Sequence, residues 1–209
     1  MRKGEQTRAA ILKCALDIAS RTGIEGLSIG VLAERMQMSK SGVFAHFGSR
    51  EELQIAALRE YTREFEEEIL FPGLAAPRGL PRLEALFEKW LQRCAREIAS
   101  GCIYISGAVE YDDRPGPIRE VLVDMVSTWQ GILERAVRLS VEEGHLLVDT
   151  DPKQIVFEMY GLILALHHDA RFLRTAGSEK RAKTGFERLI REHKRSERGR
   201  AGKQLKAVV

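Results

Sequence analysis

The sequence predicts an all-α fold in which a small three-helix module precedes a larger helical body. Three observations lead there. Apolar residues recur at steps of three and four, the spacing that lines one face of a helix. Ser and Asp open these stretches and Gly or Pro closes them. No stretch of any length alternates apolar and polar residues as a half-buried strand does, and no internal repeat is present. The chain has 209 residues, 44% hydrophobic and 30% charged. That is enough for a sizeable core in one or two domains and excludes disorder over most of the length. No apolar run approaches the ~18–20 residues of a membrane span.

The elements follow in order. Ile11, Leu12, Ala15, Leu16 and Ala19 form a first stripe, stopped at Gly23. Ser28 caps a short helix carrying Ile29, Val31, Leu32 and Met36, and Ser39 opens another that ends near Phe47-Gly48. Ser49-Arg50-Glu51-Glu52 has the form of a capping box, and a long helix runs from it to about Leu70. Pro72, Gly73, Pro77, Gly79 and Pro81 mark a loop. A stripe of Leu83, Leu86, Phe87, Trp90, Leu91, Cys94 and Ile98 breaks at Gly101. A long stripe from Ile118 to Val141 ends at Gly144. Asp151-Pro152 reads as an N-cap with proline at the first helical position. The helix after it is apolar nearly all round and needs cover on every side, part of it from a second subunit. A last helix spans about Glu179–His193, and the basic tail beyond it, 196–209, is expected to be mobile.

Charge is distributed unevenly along the chain. Residues 1–50 hold eight Lys and Arg against four Asp and Glu, and residues 51–175 hold fourteen against twenty-two. Residues 176–209 hold eleven against four. A basic head on an acidic body fits a polyanionic partner for the head, or a chance excess plus a solvated tail. The N-terminal residues lack the apolar stretch of a signal peptide, so the expected location is cytoplasmic. Cys14, Cys94 and Cys102 form no C-x-x-C pair and read as reduced thiols.

The informative constellation is Ile29–Met36, Gln37-Met38, then Ser39-Lys40-Ser41-Gly42-Val43-Phe44-Ala45-His46-Phe47. Two short helices joined by a brief turn, the second rich in small and polar residues, make a helix-turn-helix. Such a helix enters the major groove if its outer face is small and can hydrogen-bond. Lys40 reaches phosphate or guanine, Ser41 bonds to either, and Gly42 allows close approach. Ser28 and Ser39 place helix N-termini where backbone N–H groups hold phosphates. Val43 and Phe47 are expected to face inward.

Here the sequence resembles the tetracycline-repressor (TetR) family. The resemblance runs over about residues 5–55, from Gly26-Leu27-Ser28-Ile29 through Leu32-Ala33 to Met38–Phe47 and Gly48-Ser49-Arg50-Glu51-Glu52-Leu53. It implies an N-terminal helix-turn-helix domain plus a C-terminal helical ligand-binding and dimerisation domain. It also implies a homodimeric transcriptional regulator, usually a repressor, on a palindromic double-stranded operator. In such a regulator the helix from Ser49 joins reading head to body, and a small-molecule inducer shifts the spacing of the two heads. On this resemblance Ser39, Lys40, Ser41, Gly42, Phe44 and His46 lie on the DNA-reading segment. Arg50 stands where the family usually has a phosphate-contacting Lys. Phe44 replaces a common Tyr and has no hydroxyl for a phosphate, and Gly30 sits inside the second helix. For His46 the other reading is a surface histidine, for Phe44 packing, and for Lys40 and Arg50 ordinary solvated charge. Thr7 and Arg8 rank lower. Gly101-Cys102-Ile103-Tyr104 and Glu110–Pro117 are similar to one subgroup's regulatory domain.

The expected division is residues 1–50 as DNA-binding domain, with a connecting helix over about 49–70, residues 51–195 as body, and 196–209 as tail. Helices over about 117–143 and 152–174 fit a two-fold interface between copies, or stripes that face only their own core. A ligand pocket is expected among Phe65, Phe87, Trp90, Cys94, Tyr104, Trp129, Tyr160 and His167, each of which core packing also explains. His167 and His168 point about 100° apart on a helix and have no carboxylate partner, so no metal is expected, and no cofactor either. Two other readings stay open. One is a helix-turn-helix protein without an inducer, constitutive or redox-switched through Cys94 and Cys102. The other is an enzyme using Glu110, Asp112 and Asp113 near Tyr104, although Asp112-Asp113-Arg114-Pro115 reads better as a charged turn.

Overall fold

The computed structural model describes residues 3–195. Ten α-helices are formed among them: α1 Lys3–Thr22, α2 Ile29–Met36, α3 Lys40–Phe47, α4 Arg50–Phe65, α5 Phe71–Leu74, α6 Leu80–Ser100, α7 Ile103–Glu110, α8 Pro117–Glu142, α9 Pro152–His167 and α10 Ser178–His193. No strand forms among the described residues, where Leu146 and Lys194 make an isolated antiparallel bridge. The tail expected to be mobile, 196–209, lies outside them.

The helix starts follow from local chemistry. Ser28, Ser39 and Ser49 have extended backbones, and their hydroxyls accept from the N–H groups of Val31, Gly42 and Glu52. Asp151 does the same for Lys153, with Pro152 at the first turn. Each such cap satisfies one amide that the helix leaves orphaned. Gly23 and Gly101 follow the ends of α1 and α6 with φ of +79° and +110°, which glycine adopts without steric cost.

Three details depart from the sequence reading. Residues 71–74, expected as loop, form a helical turn, and the turn before Pro72 is a π turn, Glu66–Leu70. The helix expected to run to about 174 ends at His167 and continues as a π turn, His168–Phe172. Residues 103–110, assigned to no element, form α7.

The chain forms two compact units. Among the described residues, one comprises those up to Glu68 together with Arg96–Trp129; the other comprises Ile69–Ala95 and those from Gln130 to Arg195. In the first, α1–α4 close over Ile11, Ala15, Leu27, Leu32, Val43, Leu53 and Leu58, joined by Ile103, Leu122 and Met125. Each fully buried Leu or Ile there contributes about 1.5–3 kcal/mol. In the second, Phe87 of α6 stacks on Phe186 of α10 with ring centroids 3.9 Å apart. α9 and α10 approach so closely that a Cβ on Gly185 would lie 2.5 Å from a Leu162 methyl.

Candidate nucleic-acid interface

The reading element is built from α2, a three-residue turn and α3. Gln37 ends α2 in the left-handed region, with φ of +54°. Met38 N–H then donates to Ala33 O at 2.9 Å, and Ser39 begins α3. Leu32, Ala33, Val43 and Phe47 are buried, so both short helices are anchored by apolar contact. The Arg8 guanidinium lies 5.2 Å from the Phe47 ring centroid, within cation–π range.

The opposite face of α3 is open. Lys40, Ser41, Phe44 and Ala45 are exposed, and Gly42 and His46 are half-buried. Phe44 is 52% exposed, so about half of its side chain is left uncovered by the other described residues. The Ser39 and Ser41 hydroxyls are 3.1 Å apart, and Ser39 also accepts from Gly42 N–H at 3.0 Å. Gly30 has a spatial counterpart: a Cβ there would sit 3.7 Å from Lys40 Cε. The Lys40 stem thus passes beside the first turn of α2, near the Ser28 cap.

Arg50 is engaged within the chain. Its Nε donates to Leu27 O at 3.1 Å, and its Nη2 donates to the carbonyl and, at 3.1 Å, to the carboxylate of Glu25. Tyr111 Oη donates to the same Glu25 carboxylate. This hydrogen bond and the neighbouring guanidinium hold the Glu25 carboxyl below the usual carboxylate range, while burial and that carboxylate push the Tyr111 phenol up. Glu110, a member of the acid cluster considered above, spends its carboxylate on the Ile24 and Glu25 amides at 2.8 and 3.2 Å. Sequence reasoning missed Glu25 and Gln54 and gave Tyr111 no role beyond its place in the Glu110–Pro117 stretch. The one available signal was the set of turn glycines around Glu25.

Of the residues expected around a ligand, Phe65, Tyr104 and Trp129 come together in the first unit. Tyr104 meets Phe65 at 5.0 Å and Tyr61 at 4.9 Å, and Phe65 meets Trp129 at 4.9 Å, all edge to face. In the second unit Trp90 meets Tyr160 at 4.8 Å, Cys94 is buried, and His167 is half-buried near the end of α9. Phe87 instead joins Phe186 along an open groove of about 620 Å³ between α6 and α10. The Cys102 Sγ lies 3.5 Å from Tyr61 Oη, and burial pushes its thiol up, away from the reactive thiolate. Among the described residues no cluster of His, Cys, Asp or Glu could hold a metal ion, and no helix is long and apolar enough to cross a membrane.

Comparison with known proteins agrees with this geometry. Residues 11–57 match the family described as bacterial regulatory proteins, tetR family, and residues 79–186 match the tetracyclin repressor-like C-terminal domain. No curated protein matches. A solved TetR transcriptional regulator from Chloroflexus aurantiacus is similar at 24% identity and a TM-score of 0.82, covering 93% of this chain and 99% of that one. AibR, solved with isovaleryl coenzyme A and operator DNA, is similar at 23% identity and 0.69, covering 88% and 97%. A regulator from Saccharomonospora viridis, solved with choline, is similar at 19% and 0.76, covering 90% and 96%. With both of its parts matched, one of them over more than half of its length, this chain belongs to the TetR family of transcriptional regulators.

Proposed function

We propose that this protein is a ligand-responsive regulator, acting as a repressor in the cytoplasm. It binds a palindromic operator as a homodimer and is released by a small molecule held in its C-terminal part. Residues 1–50 serve as the reading head and 51–195 as the body. The observation that carries the reading is the two-sided character of α3. Val43 and Phe47 anchor it from within, while Lys40, Ser41 and Phe44 are presented outward at the spacing that reaches base edges and phosphates.

The dimer is supported by α8 and α9. Phe157, Gly161, Leu164 and Ala165 form one exposed stripe on α9, with Phe157 73% exposed. Gly131 on α8 and Gly161 on α9 lie inside helices, and a Cβ on either would meet nothing within 4 Å. An interior glycine costs a helix about 1 kcal/mol. Among the described residues no neighbour requires either one, which fits close approach by a second copy. The ligand reading is supported by the paired aromatic residues of both units and by the neighbours solved with choline and with an acyl coenzyme A. On this reading the ligand is a small organic molecule for which these rings would part to offer aromatic surface.

The experiment is a fluorescence anisotropy titration of a duplex enriched by the protein from a random pool. Ser41→Ala should change which sequences are enriched. Small molecules added to the preformed complex should include one that releases it. Equal losses on enriched and random duplexes for Ser41→Ala would sink the sequence-reading assignment. A broad ligand panel that never changes affinity would sink the sensing half.

A further inference from the structure

The turn between α1 and α2, Gly23–Leu27, is held almost entirely by side chains from two other helices. From α4, Gln54 donates to Ile24 O at 2.7 Å and to Leu27 O at 3.3 Å, and Arg50 takes the carbonyls of Glu25 and Leu27. From α7, Glu110 Oε2 accepts from the Ile24 and Glu25 amides. Tyr111 and Arg114, just beyond α7, converge with Arg50 on the Glu25 carboxylate, Arg114 at 3.7 Å. The Ile24 and Glu25 amides are therefore held by the end of α7, and the Ile24, Glu25 and Leu27 carbonyls by α4, while Leu27 N–H closes back on Ile24 O at 3.1 Å.

Two glycines make room for the arrangement. Gly23 has a φ of +79°, and a Cβ on it would lie 1.6 Å from Glu110 Oε1. A Cβ on Gly107 would lie 2.9 Å from both an Ile24 and a Leu122 methyl. A larger residue at Gly23 would displace the Glu110 carboxylate from the turn, and one at Gly107 would press on the Ile24 and Leu122 methyls. At its other end α7 carries Tyr104, which packs edge to face on Tyr61 and Phe65 of α4.

We propose that the α1–α2 turn is the joint through which α7 sets the placement of α2 and α3, with Glu110 and Tyr111 as positioning residues for operator recognition; this rests on the operator-binding reading above. The turn leads directly into Ser28, the cap of α2, and α2 packs on α3 through the buried core. A displacement of Glu110 therefore moves the reading helices without touching DNA.

The test uses the full-length protein with Glu110→Ala, Glu110→Gln and Tyr111→Phe. Each is titrated against a duplex enriched by the wild type from a random pool and against a scrambled duplex of equal length. Hydrogen exchange of the peptide covering 23–27 is followed in the free proteins. Glu110→Ala is expected to weaken the enriched duplex about tenfold and the scrambled one by less than about twofold, with faster exchange in the turn. Glu110→Gln keeps an acceptor for both amides and should recover most of the loss. Equal changes on both duplexes, or none on the enriched one, overturn the inference. If Glu110→Ala does not fold, Tyr111→Phe carries the test: about a threefold loss confined to the enriched duplex supports it, and no loss overturns it. A wild type that enriches no sequence overturns the operator-binding reading and this inference together. An enriched duplex indifferent to Glu110→Ala overturns this inference alone.

Discussion

α3 and α9 each have one face that the other described residues leave uncovered, and the two faces differ in chemistry. On α3 the open side chains are Lys40, Ser41, Phe44 and Ala45: small or hydrogen-bonding, with one aromatic ring. On α9 they are Phe157, Gly161, Leu164 and Ala165, which offer no hydrogen bond from a side chain. Both helices bury their other face, through Val43 and Phe47 in one case and Ile155, Met159, Ile163 and Leu166 in the other. A donor-bearing face suits a polyanion whose groove edges carry acceptors. A purely apolar face with a glycine suits another helix at close range. Exposure alone would class the two helices together, whereas their chemistry separates them.

The largest expected effect breaks the α9 side. Phe157→Arg combined with Leu164→Arg should give a monomer in sedimentation. It should also weaken the enriched duplex by about 100-fold or more, because two half-sites are no longer bound as one unit. A protein that stays dimeric with these changes would remove α9 from the interface. Next comes the α3 side. Lys40→Ala should leave the dimer intact while costing about 1–3 kcal/mol at one operator position, read as a change in base preference there.

A smaller and sharper contrast uses one substitution twice. Gly30→Ala adds a methyl at ordinary contact distance from the Lys40 stem and should raise thermal stability by up to about 1 kcal/mol, with DNA affinity kept. Gly161→Ala gains the same helix propensity, but its methyl points into the proposed interface and should weaken dimerisation. The smallest effect concerns acid. The Glu25 carboxyl is held below its ordinary value of 4.5, chiefly by the Tyr111 hydrogen bond. Its contribution is therefore complete above that pH and fades as pH falls through the lowered value. Glu25→Gln should flatten this part of the acid limb of a stability–pH curve.

What was legible in the sequence was what is decided locally. The caps at Ser28, Ser39, Ser49 and Asp151 depend on a residue and its own next turn, and all four form as the pattern requires. The inward placing of Val43 and Phe47 follows from helical spacing. α7 escaped because Ile103–Glu110 mixes β-branched and small residues without a clear stripe. Glu110 looked like half of an acid pair because its partners, Ile24 and Glu25, lie 86 and 85 residues away. Arg50 was placed at a phosphate by its position in the motif. Its bonds to Glu25 and Leu27 depend on a turn 23–25 residues earlier, which no local pattern announces.

Hydroxyl-radical footprinting of the full-length protein, with and without an enriched duplex, tests the central claim most directly, because Phe44 and Phe157 report on the two faces with the same side chain. The account expects Phe157 to be protected already in the free protein and Phe44 to become protected only when duplex is added. Phe44 labelling that ignores the duplex, while Phe157 labelling falls on its addition, would contradict it.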